Sequence, residues 1–178
     1  MNFDNSETKK NLELAFGGES KARNKYTYFA SIAKKEGYEE IASIFLEFAS
    51  NEKEHAKIWY KYLYGTNNTA SNIKNSITGE EYEYKEMYKD FETKAREEGF
   101  DEIADKFKMV GDIEKTHAEC FKKLLNSIIN DEVFKNKEGV SMWRCRNCGH
   151  IHFGTEAPEK CPVCDHSKSY FEKYIEKK

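Results

Sequence analysis

Through the first three quarters of the chain, apolar residues recur every three or four positions between Lys, Glu and amide side chains, the mark of helices with one buried face. Phe16, Ala22, Tyr26, Phe29 and Ala33 form a first stripe, which ends near Gly37, a residue suited to a left-handed cap. Ile41, Phe45, Phe48, Trp59 and Leu63 form a second, ended by Gly65. A stretch rich in Thr, Asn and Ser follows and reads as a polar loop. A third stripe carries Met87, Tyr88, Phe91 and Ala95 and stops at Gly99; a fourth carries Ile103, Phe107, Val110, Phe121, Leu125 and Ile128. The pattern predicts four long amphipathic helices joined by tight glycine turns, a mainly α architecture of the antiparallel four-helix bundle type.

The second pair of helices repeats the first at an offset of 62 residues: Ile41, Phe45, Glu52, His55, Trp59 and Leu63 recur as Ile103, Phe107, Glu114, His117, Phe121 and Leu125, and Tyr26 and Phe29 as Tyr88 and Phe91. A duplicated helical hairpin is the simplest account. Both prolines, Pro158 and Pro162, lie in the last quarter. From Met142 onward the chain turns to Cys, Gly, Pro and aromatics in short runs. The expected organisation is a helical domain over 1–135, a linker over 136–141 and a small β/loop module over 142–178.

The second and fourth stripes are interrupted. Glu52 and His55, and again Glu114 and His117, sit where the apolar faces should continue. Residues three apart on a helix lie about 60° apart around its axis, so each pair can converge on one point. A carboxylate in an apolar stripe is costly unless a cation meets it. One such pair alone would read as a satisfied core histidine; two equivalent pairs favour a metal. Glu19 falls in the first stripe, and Glu80 and Glu83 continue into the third, whereas Glu81 is turned about 100° from Glu80 and is expected to face solvent. Five carboxylates and two imidazoles from four helices match the donor set of ferritin-like di-iron proteins, and suit iron or manganese better than structural zinc. Tyr26 and Tyr88 read as core residues, and their hydroxyls are also placed to hold a carboxylate or relay a proton.

Composition narrows the field further. The chain has 178 residues, with Lys plus Arg 29 and Asp plus Glu 32, a net charge of −3. That balance argues against a polyanion binder, so no nucleic-acid partner is expected. With 34% of residues charged the chain is very polar, yet 14% are aromatic, which a disordered chain would lack. No run approaches the roughly 18 to 20 apolar residues of a membrane span, and MNFDNSETKK lacks the order of a secretion signal. No membrane association and a cytoplasmic location are expected.

Of five cysteines, four form two CxxC pairs, Cys145/Cys148 and Cys161/Cys164, separated by 12 residues. The pattern points to one tetrahedral S4 metal site, zinc or iron, in a reducing compartment. His150 and His152 flank the first pair and could in principle replace a thiolate, but with four cysteines suitably spaced both read as surface or packing residues. Cys120, beside Phe121, reads as a buried structural thiol.

At these residues the chain resembles the rubrerythrin family over essentially its whole length, through GGES-x-ARNKY at 17–26, NEKEHAK at 51–57, GEEYEYKEMY at 79–88, E-K-T-H at 114–117 and the WRCRNCG…CPVC module at 143–164. The resemblance implies a ferritin-like di-iron domain followed by a rubredoxin-like domain, and tips the S4 site from zinc to iron. It implies Glu19, Glu52, His55, Glu80, Glu83, Glu114 and His117 as di-iron ligands, with Glu52 and Glu114 bridging and His55 and Glu83 exchanging at one iron as its redox state changes. It implies Cys145, Cys148, Cys161 and Cys164 as ligands of the mononuclear iron, and Tyr26 and Tyr88 beside the di-iron site. Two departures are visible: Lys89 stands where many relatives have Pro, and Asp165 where free-standing rubredoxins usually have Gly.

The function implied is a non-haem di-iron peroxidase that reduces hydrogen peroxide to water and protects against oxidative stress. Electrons would come from a donor protein, a rubredoxin or an NAD(P)H-dependent rubredoxin reductase type, and the short linker favours a head-to-tail homodimer or higher homo-oligomer. A ferroxidase that handles iron is the alternative, disfavoured because such an enzyme needs no electron inlet. A non-enzymatic zinc module is disfavoured by the paired Glu-x-x-His motifs.

Overall fold

The computed structural model describes residues 2–175. They fall into two compact units, one ending at Asn67 and one beginning at Asn68. No helix among the described residues is long and apolar enough to cross a membrane.

The first unit is a helical hairpin, α1 (Glu7–Lys35) and α2 (Glu39–Tyr64). The Ser6 side chain accepts from the Lys9 amide at 3.1 Å and starts α1. The hairpin turn rests on Gly37, whose φ of +87° only glycine adopts freely. It lets the Tyr38 amide donate back to the Ala33 carbonyl at 2.8 Å.

The second unit opens with α3 (Thr69–Tyr82), continues through a π-helical turn (Glu83–Met87) into α4 (Tyr88–Glu97), and returns along α5 (Asp101–Ile129). Here the polar stretch expected to be a loop is helix from Thr69 onward. The Asn68 side chain accepts from the Ser71 amide at 2.9 Å and nucleates it. Ala70, Ile73 and Ile77, spaced as one helical face, are half-buried as α3 packs along α5. Between α4 and α5 the turn of the first hairpin recurs, with Gly99 at φ +82° and the Phe100 amide donating to the Ala95 carbonyl at 2.8 Å.

Each hairpin buries a seam of small residues. Ala33, Ala42, Ala49 and Ala56 in the first unit become Ala95, Ala104, Gly111 and Ala118 in the second, at the same 62-residue offset. Small side chains let the helix axes approach closely. The large stripe residues Phe29, Ile41, Phe48, Phe91 and Ile103, expected to be the buried core, lie beside the seam and are 42–51% exposed. Beside each seam sits the same aromatic triplet: Tyr26, Phe29 and Phe45 with ring centres 5.6–6.4 Å apart, and Tyr88, Phe91 and Phe107 at 5.5–6.3 Å.

The C-terminal module is a three-stranded antiparallel sheet in the order β2-β1-β3, from β1 (Ser141–Cys145), β2 (Ile151–Gly154) and β3 (Phe171–Lys173). Trp143, Cys145, Ala157, Cys161 and Phe171 form its core, with Phe134 and Cys164 packed against it. Trp143 donates its indole N–H to the Gly154 carbonyl at 3.0 Å. Phe134 accepts from the Ala157 amide at 2.8 Å, and the Asn136 amide donates to Thr155 at 2.6 Å, so the chain already joins the module there. The architecture is mainly α with a small C-terminal β module.

Candidate metal centres

In the first hairpin, Glu19 on α1 meets Glu52 and His55 on α2, with one ligand atom of each within 4.8 Å of the others. His55 Nδ1 lies 2.9 Å from Glu52 Oε2. The Glu19 carboxyl is pushed above its ordinary range, first by its hydrogen bond to Glu52 and then by burial and the Glu52 charge, while that bond and His55 hold Glu52 below its own. In the second unit, Glu80 on α3 meets Glu114 and His117 on α5 within the same 4.8 Å. His117 Nδ1 is 2.7 Å from Glu114 and 3.5 Å from Glu80. Burial, followed by the hydrogen bond to Glu114 and its charge, raises Glu80. Carboxylates aimed at one another repel unless a proton or a cation lies between them, so both donor sets fit a metal ion.

The two triads correspond, but not at the expected offset. Tyr88 follows Tyr26 by 62 residues, whereas Glu80 follows Glu19 by 61. The π turn at Glu83–Met87 lies between Glu80 and Tyr88 and absorbs one extra residue without breaking the helix. Glu81, the counterpart of Glu19 by strict offset, instead pairs with Lys122 and, at 3.0 Å, with Lys85. It meets lysines rather than the open solvent expected of it. Glu83 opens the π turn and acts electrostatically on both Glu80 and Tyr88. Tyr88 is pushed above the usual phenol range by burial, then by Glu83 and Glu114, so its hydroxyl stays protonated.

In the C-terminal module, two matching knuckles carry the thiols. Cys145 and Cys161 each donate an amide hydrogen bond, to His150 O and His166 O, at 2.8 Å, and accept one from Gly149 and Asp165 at 2.8 and 3.0 Å. Gly149 has φ +80° and Asp165 φ +61°; Asp is among the few residues with a side chain that tolerate this region. The Asp165 carboxylate pairs with Lys160 at 2.8 Å. Sulfur separations are 3.7 Å for Cys145–Cys164 and 3.6 Å for Cys148–Cys161. A tetrahedron with metal–sulfur arms of about 2.3 Å has edges of about 3.75 Å, so the thiols fit one ion. The His150 amide pulls the Cys148 thiol down, but the other three sulfurs and burial outweigh it and push it to about 12. The His166 amide, helped by Cys148, Asn147 and Cys161 against burial, brings Cys164 down to about 6.

Two family models match: Rubrerythrin over residues 10–125, and the rubredoxin-like domain of rubrerythrin over residues 143–172. The chain belongs to the rubrerythrin family. It is 44% identical to a rubrerythrin of Nitratidesulfovibrio vulgaris, covering 94% of each chain. The rubrerythrin of Clostridium perfringens is 43% identical over 96% of each chain, and that of Porphyromonas gingivalis 42% identical over 94% of this chain and 90% of its own. A ferritin-like domain with a di-iron site and a rubredoxin-like four-cysteine site are the parts of a rubrerythrin, and this chain has the donor sets for both.

Of the residues singled out from sequence, the structure gathers Glu19, Glu52 and His55, then Glu80, Glu114 and His117, then the four cysteines. Glu83 lies beside the second group without joining it, and Tyr26 and Tyr88 pack in the aromatic triplets. Cys120, expected to be buried, is exposed, because its neighbour Phe121 takes the stripe position and turns the thiol about 100° away. The π turn was not foreseen; its signal was the one-residue break in the repeat between Glu80 and Tyr88.

Proposed function

We propose that this chain is a non-haem di-iron peroxidase that reduces hydrogen peroxide to water, with electrons delivered through the rubredoxin-like site, in a cytoplasmic oxidative-stress defence. The observation that carries the reading is the duplicated Glu, Glu and His donor triad in a chain that also holds a four-sulfur site. On this reading, residues 1–135 form the di-iron domain and 142–178 the rubredoxin-like domain. Glu19, Glu52, His55, Glu80, Glu83, Glu114 and His117 would hold two irons, and Cys145, Cys148, Cys161 and Cys164 the third. When bound, the two irons supply the two electrons that cleave the O–O bond of the peroxide.

The side chains do the rest. Glu52 and Glu114, each steadied by the imidazole one turn along its helix, would be among the carboxylates that hold the ions. Tyr88, kept protonated by burial and by Glu83 and Glu114, offers its O–H to the peroxide as a hydrogen-bond donor and proton source; Tyr26 takes the same part in the first hairpin. Glu83 begins a π turn, a helix form frequent at functional sites, and would alternate with His55 as a ligand of one iron. Two electrons and two protons per peroxide yield two waters. The partners are a rubredoxin-type or rubredoxin-reductase-type electron donor and a second copy in a head-to-tail homodimer or higher assembly.

The test is anaerobic rapid mixing of the reduced, iron-loaded protein with hydrogen peroxide. The red colour of the four-cysteine iron, bleached on reduction, is expected to return as peroxide is consumed. His55→Ala is expected to impair turnover and leave that colour intact. Undiminished turnover would remove His55 from the site, and a preparation that retains only native zinc would overturn the peroxidase reading.

A further inference from the structure

The indole Nε1 of Trp59 is sealed from solvent and makes no hydrogen bond among the described residues. Such donors are rare in folded proteins, because an unpaired buried N–H forfeits the hydrogen bond it made to water. Trp59 lies one turn beyond His55 and two beyond Glu52, on the same face of α2. Across the hairpin it lies at the level of Glu19: Phe16, one turn before Glu19, packs on Tyr60, the residue next to Trp59, at 5.9 Å, and Glu19 itself meets His55, one turn before Trp59. Glu19 is turned toward Glu52 and His55, with one ligand atom of each within 4.8 Å of the others. The repeat isolates the feature. Trp59 becomes Phe121 in the second hairpin, and a phenyl ring at that position offers Glu80 no N–H.

We propose that Trp59 is a positioning residue for Glu19: when one Glu19 oxygen goes to a metal ion, the other accepts the Trp59 N–H. A carboxylate tethered in this way presents one oxygen in a fixed direction and is less free to chelate through both. The two donor triads thereby differ, with a tethered carboxylate in that of α1 and α2 and no such tether from the matching position in that of α3 and α5. Outer hydrogen bonds of this kind orient ligating groups at metal sites generally. The inference rests on Glu19 and Glu52 being metal ligands, as argued above.

The test uses the full-length protein loaded with diamagnetic zinc(II) and followed by NMR. Of its two tryptophans, Trp143 already donates to Gly154 at 3.0 Å and serves as the internal reference; the W59F variant identifies the other indole signal. On zinc addition the Trp59 indole proton is expected to move downfield and to exchange more slowly with solvent, while that of Trp143 stays in place. In W59F, zinc is expected to bind about 10-fold more weakly where it shifts His55, and unchanged where it shifts His117. If His55 reports bound zinc but the Trp59 signal does not move, or the W59F affinity equals that of the parent, the positioning role is overturned while the metal site stands. If zinc shifts neither imidazole, the metal site and this inference both fall.

Discussion

Tyr88 packs so tightly against Gly111 that a Cβ built at position 111 would stand 3.2 Å from the tyrosine's own Cβ. The first hairpin has Ala49 at the matching position. Within a helix, Ala is ordinarily worth about 0.5–1 kcal/mol over Gly. Forcing side chains into an over-tight contact costs about 1–3 kcal/mol. Gly111→Ala is therefore expected to destabilise the protein by about 1 kcal/mol and to disturb the Tyr88–Phe107 contact. A thermal melt checks it; a rise in Tm would show that Tyr88 yields freely.

Glu80 and Glu81 are adjacent but serve different neighbours. Glu80→Gln is expected to weaken metal binding in the second triad at least about 10-fold, since it removes a carboxylate aimed at Glu114 and His117. Glu81→Gln breaks only the contacts with Lys122 and Lys85, and is expected to leave metal binding unchanged with a stability loss below about 1 kcal/mol. Metal titration of both variants decides; equal effects would mean that the π turn does not fix which glutamate faces the site.

Proton and metal compete for the same carboxylates. Glu19 and Glu80 hold protons above the usual carboxyl range, so a metal must displace them. Affinity is expected to fall, and binding to release protons, as pH drops through that raised range. In the metal-free protein, protonating Glu19 and Glu80 relieves repulsion, so their own contribution to stability grows as pH falls through the raised values; that of Glu52, whose pKa is lowered, is lost further down. Calorimetric titration in buffers of different ionisation enthalpy measures the proton release, and none at any pH above the ordinary carboxyl range would contradict the raised values of Glu19 and Glu80.

In the C-terminal module the buried sulfurs of Cys145 and Cys161 are part of the core around Trp143. Removing the ion by chelation is expected to loosen that core and shift Trp143 emission to the red, read in a W59F background where it is the sole tryptophan. Reloading is expected to weaken as pH falls, because Cys148 holds its proton up to about 12 while Cys164 ionises near 6. Unchanged emission after complete metal loss would show a module that folds without its ion.

Much of the site was legible in one dimension. The Glu-x-x-His pairs and the CxxC pairs are local spacings, and a helix or a knuckle turns a local spacing directly into a shared direction. The repeat could be read as well, because duplicated hairpins duplicate their alanine seams and glycine turns. Packing had the last word elsewhere. The Thr, Asn and Ser stretch became helix because Asn68 caps it and α5 offers a surface for Ile73 and Ile77. Alanines rather than the large stripe residues form the seam, because close approach of two axes is a property of the pair of helices.

By itself, the sequence determined which side chains are available as ligands and how many residues separate them along each helix. Only the tertiary structure decided that Glu80 rather than Glu81 meets Glu114 and His117, that Glu19 meets Glu52 and His55, and that the Trp59 N–H is sealed without a partner among the described residues. Each of these depends on the rotation of one helix against another. A single π turn shifts that rotation by one residue, and composition or periodicity along one strand of sequence does not register it.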